Sequence, residues 1–286
     1  MARRPRLTPI GAHVPATKGI ATGGLAYAER VGAEAVQVFL SNPRGWAPSA
    51  GKPAEDAAFA ERTVERGIPS FVHAPYLVNV GSPDPVTYER SVACVAHALR
   101  RAHAIVARGV VVHTGSAVTA AHRPAAFGQI RDGLLPLLDQ LPDDGPDLLL
   151  EPTAGGGEPL CARVDDLTEY LAALDDHPRV GVCLDTCHVF AAGHDLTADG
   201  GVAAMLRALT HAAGKGRLRL VHANDSKDPA GSLRDRHENV GGGTLGTQPF
   251  ADLLNHPTAR GVPFIVETPG DADRCAADID TLKGLR

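Results

Sequence analysis

Six short hydrophobic runs in this sequence each end in a histidine or a carboxylate. His73 closes SFVHAP (70–75), His113 closes GVVVHT (109–114) and Glu151 closes DLLLEP (147–152). Asp185 follows in VGVCLDT (180–186), His222 in LRLVHAND (218–225) and Glu267 in PFIVET (263–268). A single histidine at a strand end usually serves packing, and a single acid there often caps the next helix. Six in succession point to a shared metal site. Mixed imidazole and carboxylate donors suit borderline divalent ions, zinc first and then manganese or iron. Two local spacings enlarge the set. Asp185-Thr-Cys-His188 places an acid and an imidazole three apart where a strand gives way to a loop or helix. Asp235-Arg-His237 places two donors on one side of an extended segment. Nine candidate ligands exceed what one ion needs, so two or three ions are expected.

The elements that must position these donors recur as one unit, a β-prone run followed by an amphipathic stretch. PIGAHV (9–14) and AVQVFL (35–40) bring the strands to eight. Helical stretches are predicted at 23–32, 54–66, 84–107, 123–140, 164–175, 198–213, 247–255 and 271–283. Near-continuous apolar strands belong to parallel sheets covered on both faces. Eight β-then-α units predict an α/β fold, a single TIM (β/α)8 barrel spanning residues 1–286. Its C-terminal strand ends would share one active face. An open doubly wound sheet is the structural alternative, but convergence of six strand ends favours closure. Residues 41–55 and 224–247 form the long loops, and long loops in compact domains are usually functional or disordered.

Composition excludes several classes. No window of the 286 residues approaches the ~18 apolar residues of a membrane span, so no membrane role is expected. Arg3, Arg4 and Arg6 precede a segment without an apolar signal core, which predicts a cytoplasmic protein. The five cysteines at 94, 161, 183, 187 and 275 form no disulfide framework. The gap between Cys183 and Cys187 also misses the redox and haem-attachment patterns. Aromatic residues at 4% weigh against base-stacking platforms for single strands. A net charge of −5 lacks the basic footprint of a nucleic-acid binder. Three divalent ions would add six charges and leave +1, concentrated at the active face.

Several segments together resemble the endonuclease IV family of apurinic/apyrimidinic endonucleases. They are VHAPYLVNVGSP (72–83), LLLEPTAGGG (148–157), VGVCLDTCHVFAAGHDL (180–196) and LVHANDSKDPAGSLRDRHENVGGG (220–243), with GAHV (11–14) and IVETP (265–269) at the ends. The likeness covers nearly the whole chain in the family's order, and CLDTCH and DRH are its most specific parts. It implies a TIM barrel with three zinc ions that cuts the phosphodiester 5′ of an abasic site in double-stranded DNA. It also implies ligand sets. One zinc takes His73, His113 and Glu151; a second shares Glu151 and adds Asp185, His222 and Glu267; a third takes His188, Asp235 and His237. Glu151 and Glu267 are the implied catalytic residues. Tyr76, Leu77 and Arg44 match the family's DNA-penetrating loops. The usual His-Pro-Gly of the fourth strand reads His113-Thr114-Gly115 here. A monomer is expected, and no protein partner is implied.

Other features have plainer expectations. His13 lies on the rim as either a supporting or a packing residue. His97, His103, His122, His177, His194, His211 and His256 are expected to be solvated or capping. Lys227, Arg234 and Arg236 lie in a rim loop and are candidate phosphate contacts. Gly155, Gly156 and Gly157 predict tight turning. The main rival is a metal-dependent sugar isomerase or epimerase on the same barrel. A zinc-stabilised protein that binds damaged DNA without cutting it ranks behind.

Overall fold

The computed structural model describes residues 7–286, so Arg3, Arg4 and Arg6 lie outside the described residues. Seven parallel strands come first in the chain: β1 (Ile10–His13), β2 (Val36–Phe39), β3 (Ser70–His73), β4 (Gly109–His113), β5 (Asp147–Glu151), β6 (Val180–Asp185) and β7 (Leu218–His222). A short antiparallel pair follows, β8 (Asp225–Ser226) with β9 (His237–Glu238). The last barrel strand is β10 (Phe264–Val266). Among the described residues the barrel closes in the order β1-β10-β7-β6-β5-β4-β3-β2, the TIM arrangement.

Alternation along each strand sorts its side chains between two cores. One set faces the surrounding helices and includes Val38, Val72, Val112, Leu150, Leu184 and Val266. The other set fills the barrel interior as Ala35, Phe71, Val111, Leu149, Cys183, Leu220 and Ile265, all at most 2% exposed. Gly11 completes that layer, because a Cβ there would lie 1.7 Å from the carbonyl oxygen of Ala35. Two residues further along each strand stand His13, Gln37, His73, His113, Glu151, Asp185, His222 and Glu267. The period of two therefore lays a polar layer directly upon an apolar one.

The helices α1 (Leu25–Arg30), α2 (Pro53–Arg66), α3 (Pro85–Ala104), α4 (Arg123–Asp139), α5 (Leu167–Ala173), α7 (Gly201–Ala213), α8 (Gln248–Asn255) and α9 (Ala272–Leu285) fall within about three residues of the predicted stretches. Their ends follow local rules: Pro85 opens α3 while Asp84 accepts the Thr87 N–H at 2.9 Å. One helix is additional, α6 (Thr186–Ala191), which starts where β6 stops. The strands are shorter than predicted at their C-terminal ends, so Glu267 stands one residue beyond β10. The five cysteines are free. No helix among the described residues is long and apolar enough to cross a membrane.

Candidate metal centre

All nine predicted ligands converge on one cluster at the C-terminal face of the barrel. Glu151 is its hub. Its Oε2 lies 3.2 Å from His73 Nε2 and 3.4 Å from His113 Nε2. Its Oε1 lies 3.0 Å from His222 Nδ1 and 3.4 Å from His188 Nδ1. His222 Nδ1 also faces Glu267 at 3.2 Å and Asp185 at 3.9 Å. The outer corner is built by Asp235, whose oxygens sit 3.2 Å from His188 Nε2 and 3.0 Å from His237 Nε2. His237 Nε2 lies 3.5 Å from Asp185 as well. Three groups drawn from these residues cluster tightly enough to hold an ion each: His73-His113-Glu151, Asp185-His222-Glu267 and Asp185-His188-His237.

The chain builds these positions locally. Asp185 ends β6 and its Oδ1 accepts the N–H groups of Cys187 and His188, which starts α6 and turns His188 back into the site. Its Oδ2 takes the Asn224 amide at 2.7 Å, and Asn224 Oδ1 accepts the Glu267 N–H. The DRH segment is carried by the β8–β9 pair, in which Ser226 is opposite His237. Asp225 anchors that loop by accepting four backbone N–H groups, from Ser226, Gly241, Gly243 and Leu245. A Cβ at Gly243 would lie 2.4 Å from that carboxylate.

Four of the imidazoles commit one nitrogen to an oxygen acceptor and leave the other facing carboxylates. His73 Nδ1 donates to the Ala74 carbonyl at 2.7 Å, His188 Nδ1 to the Pro152 carbonyl at 3.1 Å and His237 Nδ1 to the Glu267 carbonyl at 3.3 Å. His222 Nε2 donates to Gln37 Oε1 at 2.9 Å. That is the usual tautomer control around a ligating imidazole. Two of the buried atoms without a hydrogen-bond partner belong to the centre, Glu151 Oε2 and His237 Nε2. Orphaned polar atoms of this kind call for an explanation, and an ion is one. The donor set fits zinc.

The electrostatics match. Burial opposes charge on Glu151, yet His222 and His113 hold its carboxyl well below the usual range. Burial likewise opposes charge on His188, but Asp185, Asp235 and Glu151 outweigh it and raise the imidazole to about 10. His237 rises to about 9 beside Asp185 and Asp235, again against burial. His113 is dominated by burial and falls to about 4. Protons stand at the outer corner where a cation would.

Residues 25–285 match the family model described as xylose isomerase-like TIM barrel. A probable endonuclease 4 of Streptomyces coelicolor is 55% identical over 279 residues, 97% of this chain and 95% of that protein. The crystal structure of endonuclease IV from Thermus thermophilus superimposes with a TM-score of 0.84 at 34% identity, covering 97% of this chain and 98% of the other. The chain belongs to the endonuclease IV family. A D-tagatose 3-epimerase-like protein, at 16% identity and a TM-score of 0.72 over 97% of this chain and 97% of its own, shares the fold alone.

Within this family frame the Thr114 departure is absorbed locally. Its hydroxyl donates to the Cys161 carbonyl at 2.8 Å. Gly115 then turns at φ 75°, where a Cβ would lie 2.5 Å from Asn79 Oδ1. Tyr76 and Leu77 are exposed in the loop after β3, and Arg44 is exposed in the loop after β2. Tyr76 is not free of the centre: its ring stacks on His113 at 5.8 Å and edges His73 at 5.5 Å. Two candidate phosphate contacts are engaged elsewhere, because Arg236 grips Asp228 through two nitrogens and Arg234 lies 3.7 Å from the same acid. His13 is a supporting residue, 3.2 Å from Glu267. His256 caps a turn as expected, whereas His194 is buried and accepts the Val164 N–H. Gly155, Gly156 and Gly157 all adopt positive φ, as predicted. Sequence reasoning missed Gln37, which is fully buried and donates to Glu267 at 2.7 Å. Its signal was a lone amide in the apolar run AVQVFL, in step with the ligand layer.

Proposed function

We propose that this protein is a zinc-dependent endonuclease of base-excision DNA repair. It hydrolyses the phosphodiester 5′ of an abasic site in duplex DNA, leaves a 3′-hydroxyl and also removes 3′-blocking groups. The observation that supports this most is Glu151, buried in a ring of four imidazoles with one oxygen unpartnered, in a chain of this family.

In this reading His73, His113 and Glu151 hold one ion. Glu151 is shared with a second ion held by Asp185, His222 and Glu267, and His188, Asp235 and His237 hold the third. Manganese suits one or more of these mixed imidazole and carboxylate positions. When bound, such ions neutralise phosphate charge and make a coordinated water more acidic. The chain's own contribution is positioning. Glu151 and Glu267 fix the donors around the reacting phosphate, and Gln37 and His13 hold Glu267 in place. Tyr76, Leu77 and Arg44 meet the duplex, where exposing the lesion costs a few kcal/mol and is cheapest where a base is missing. One barrel carries all nine donors, so the working unit is a monomer. Its free cysteines suit the reducing cytoplasm.

A duplex containing one abasic site, followed by end-group analysis of the nick, tests this reading. A 3′-hydroxyl on the 5′ side of the lesion is expected. No nick, or one on the 3′ side, overturns it.

A further inference from the structure

We infer that Cys183 gives the centre a latent soft donor, so that Glu151, His222 and Cys183 capture a thiophilic divalent ion, of the chemistry of cadmium, with a thiolate bond. The proposal rests on the zinc-centre reading and adds a residue that this reading leaves idle.

Cys183 lies two residues before Asp185 on β6, and therefore one layer beneath it on the same inward face. Every other side chain of that layer is hydrocarbon: Ala35, Phe71, Val111, Leu149, Leu220 and Ile265. Among the described residues the thiol is the only side-chain heteroatom in the floor under the ligands. It is fully buried, and ligand atoms of Glu151, Cys183 and His222 all lie within 4.8 Å of one another. Glu151, at 1% exposure, turns Oε1 to His222 Nδ1 at 3.0 Å. A hard or borderline ion is satisfied by the oxygen and imidazole donors above the floor. A soft ion gains more from sulfur, and thiolate selects soft metals. On capture cadmium replaces the zinc that Asp185, His222 and Glu267 would hold: the S–H bond breaks, a sulfur–cadmium bond forms, and the zinc ion and the thiol proton leave to solvent. No electron is transferred.

The family's own donors cannot produce the signature of this event. Adding Cd2+ to the zinc-loaded full-length chain should produce a thiolate-to-cadmium charge-transfer band in the ultraviolet. Cys183→Ser and Cys183→Ala should both abolish the band. Cys187→Ser should retain it, although Cys187 lies near Asp235 and His237. Two variants guard against a packing artefact, and unchanged circular dichroism shows that each has folded. A band that survives both Cys183 variants overturns the proposal, as does cadmium uptake without a band or failure of cadmium to enter. Zinc content before cadmium addition is read separately. A value well below three challenges the underlying zinc reading, whereas three zincs and no band challenge only Cys183.

Discussion

His222 Nε2 and Gln37 Oε1 meet at 2.9 Å inside the barrel, both side chains fully buried. A carboxamide oxygen only accepts, so the imidazole proton sits on Nε2 and Nδ1 is turned to Glu151 and Glu267. The amide nitrogen of Gln37 meanwhile donates to Glu267. One side chain thus orients two candidate ligands. Gln37→Leu should leave the barrel folded but lower metal affinity or turnover by about 10–100-fold, the usual effect of removing a ligand's outer partner. Chelator competition checks this, and an unchanged metal affinity together with unchanged turnover would remove Gln37 from the site.

Glu151→Gln replaces the shared carboxylate with a poor bridging ligand. Several kcal/mol of charge stabilisation are at stake, so abasic-site cleavage should fall at least about a hundredfold. Elemental analysis should show fewer than three ions. Wild-type cleavage in this variant would sink the assignment.

The outer corner should be separable. Asp235→Ala with His237→Ala leaves the loop anchored through Asp225 and through Asp278, which accepts the Val240 N–H at 2.9 Å. The double variant should therefore fold, lose one ion and turn over far more slowly. Retention of three ions would make DRH a mere loop contact.

Metal uptake should release protons. In the metal-free protein His188 and His237, raised to about 10 and 9, are charged at pH 7.5, whereas His113, lowered to about 4, is neutral. An ion at the outer corner displaces two protons, so affinity there should rise about a hundredfold per pH unit until pH approaches 9. The stability sign is opposite for the metal-free chain. Raised histidine values contribute stability that is complete below pH 6.5 and lost as pH climbs through 9 to 10. Calorimetry in two buffers of different ionisation enthalpy measures the release. Uptake without protons would contradict the arrangement.

Leu77 offers a cleaner test of DNA contact than Tyr76, whose ring rests on His113. Leu77→Ala should weaken binding and cleavage of abasic duplex while metal content and hydrolysis of small phosphodiesters stay near wild type. Tyr76→Ala should disturb both substrates to some degree. Equal losses on both substrates for Leu77→Ala would mean that it supports the centre and not the duplex.

The amino-acid sequence by itself determined the eight strands, their helices and the donors that end the strands. Each of these is written in short-range periodicity: apolar runs for buried strands, and a histidine or acid where each run stops. It also carried Asp235-Arg-His237, because two residues of separation on an extended chain suffice to align both side chains. The tertiary structure decided what closure brings together. Gln37 and His222 are 185 positions apart, and nothing near either announces the other. Gln37 reads as an ordinary polar residue of a strand until the barrel places it in the ligand layer. Cys183 reads as a buried hydrophobe until the same closure sets it beneath Glu151 and His222. The sequence left the segment after Asp185 open between loop and helix because six residues are too few to show a period; the Asp185 cap and the surrounding packing make it helix α6. For His188, His222 and His237, which imidazole nitrogen faces the centre was likewise settled by carbonyl and amide oxygens arriving from other segments, whereas His73 uses the adjoining Ala74 carbonyl. These are long-range pairings enforced by one shared barrel interior, where a buried polar atom must find its partner wherever the fold supplies it.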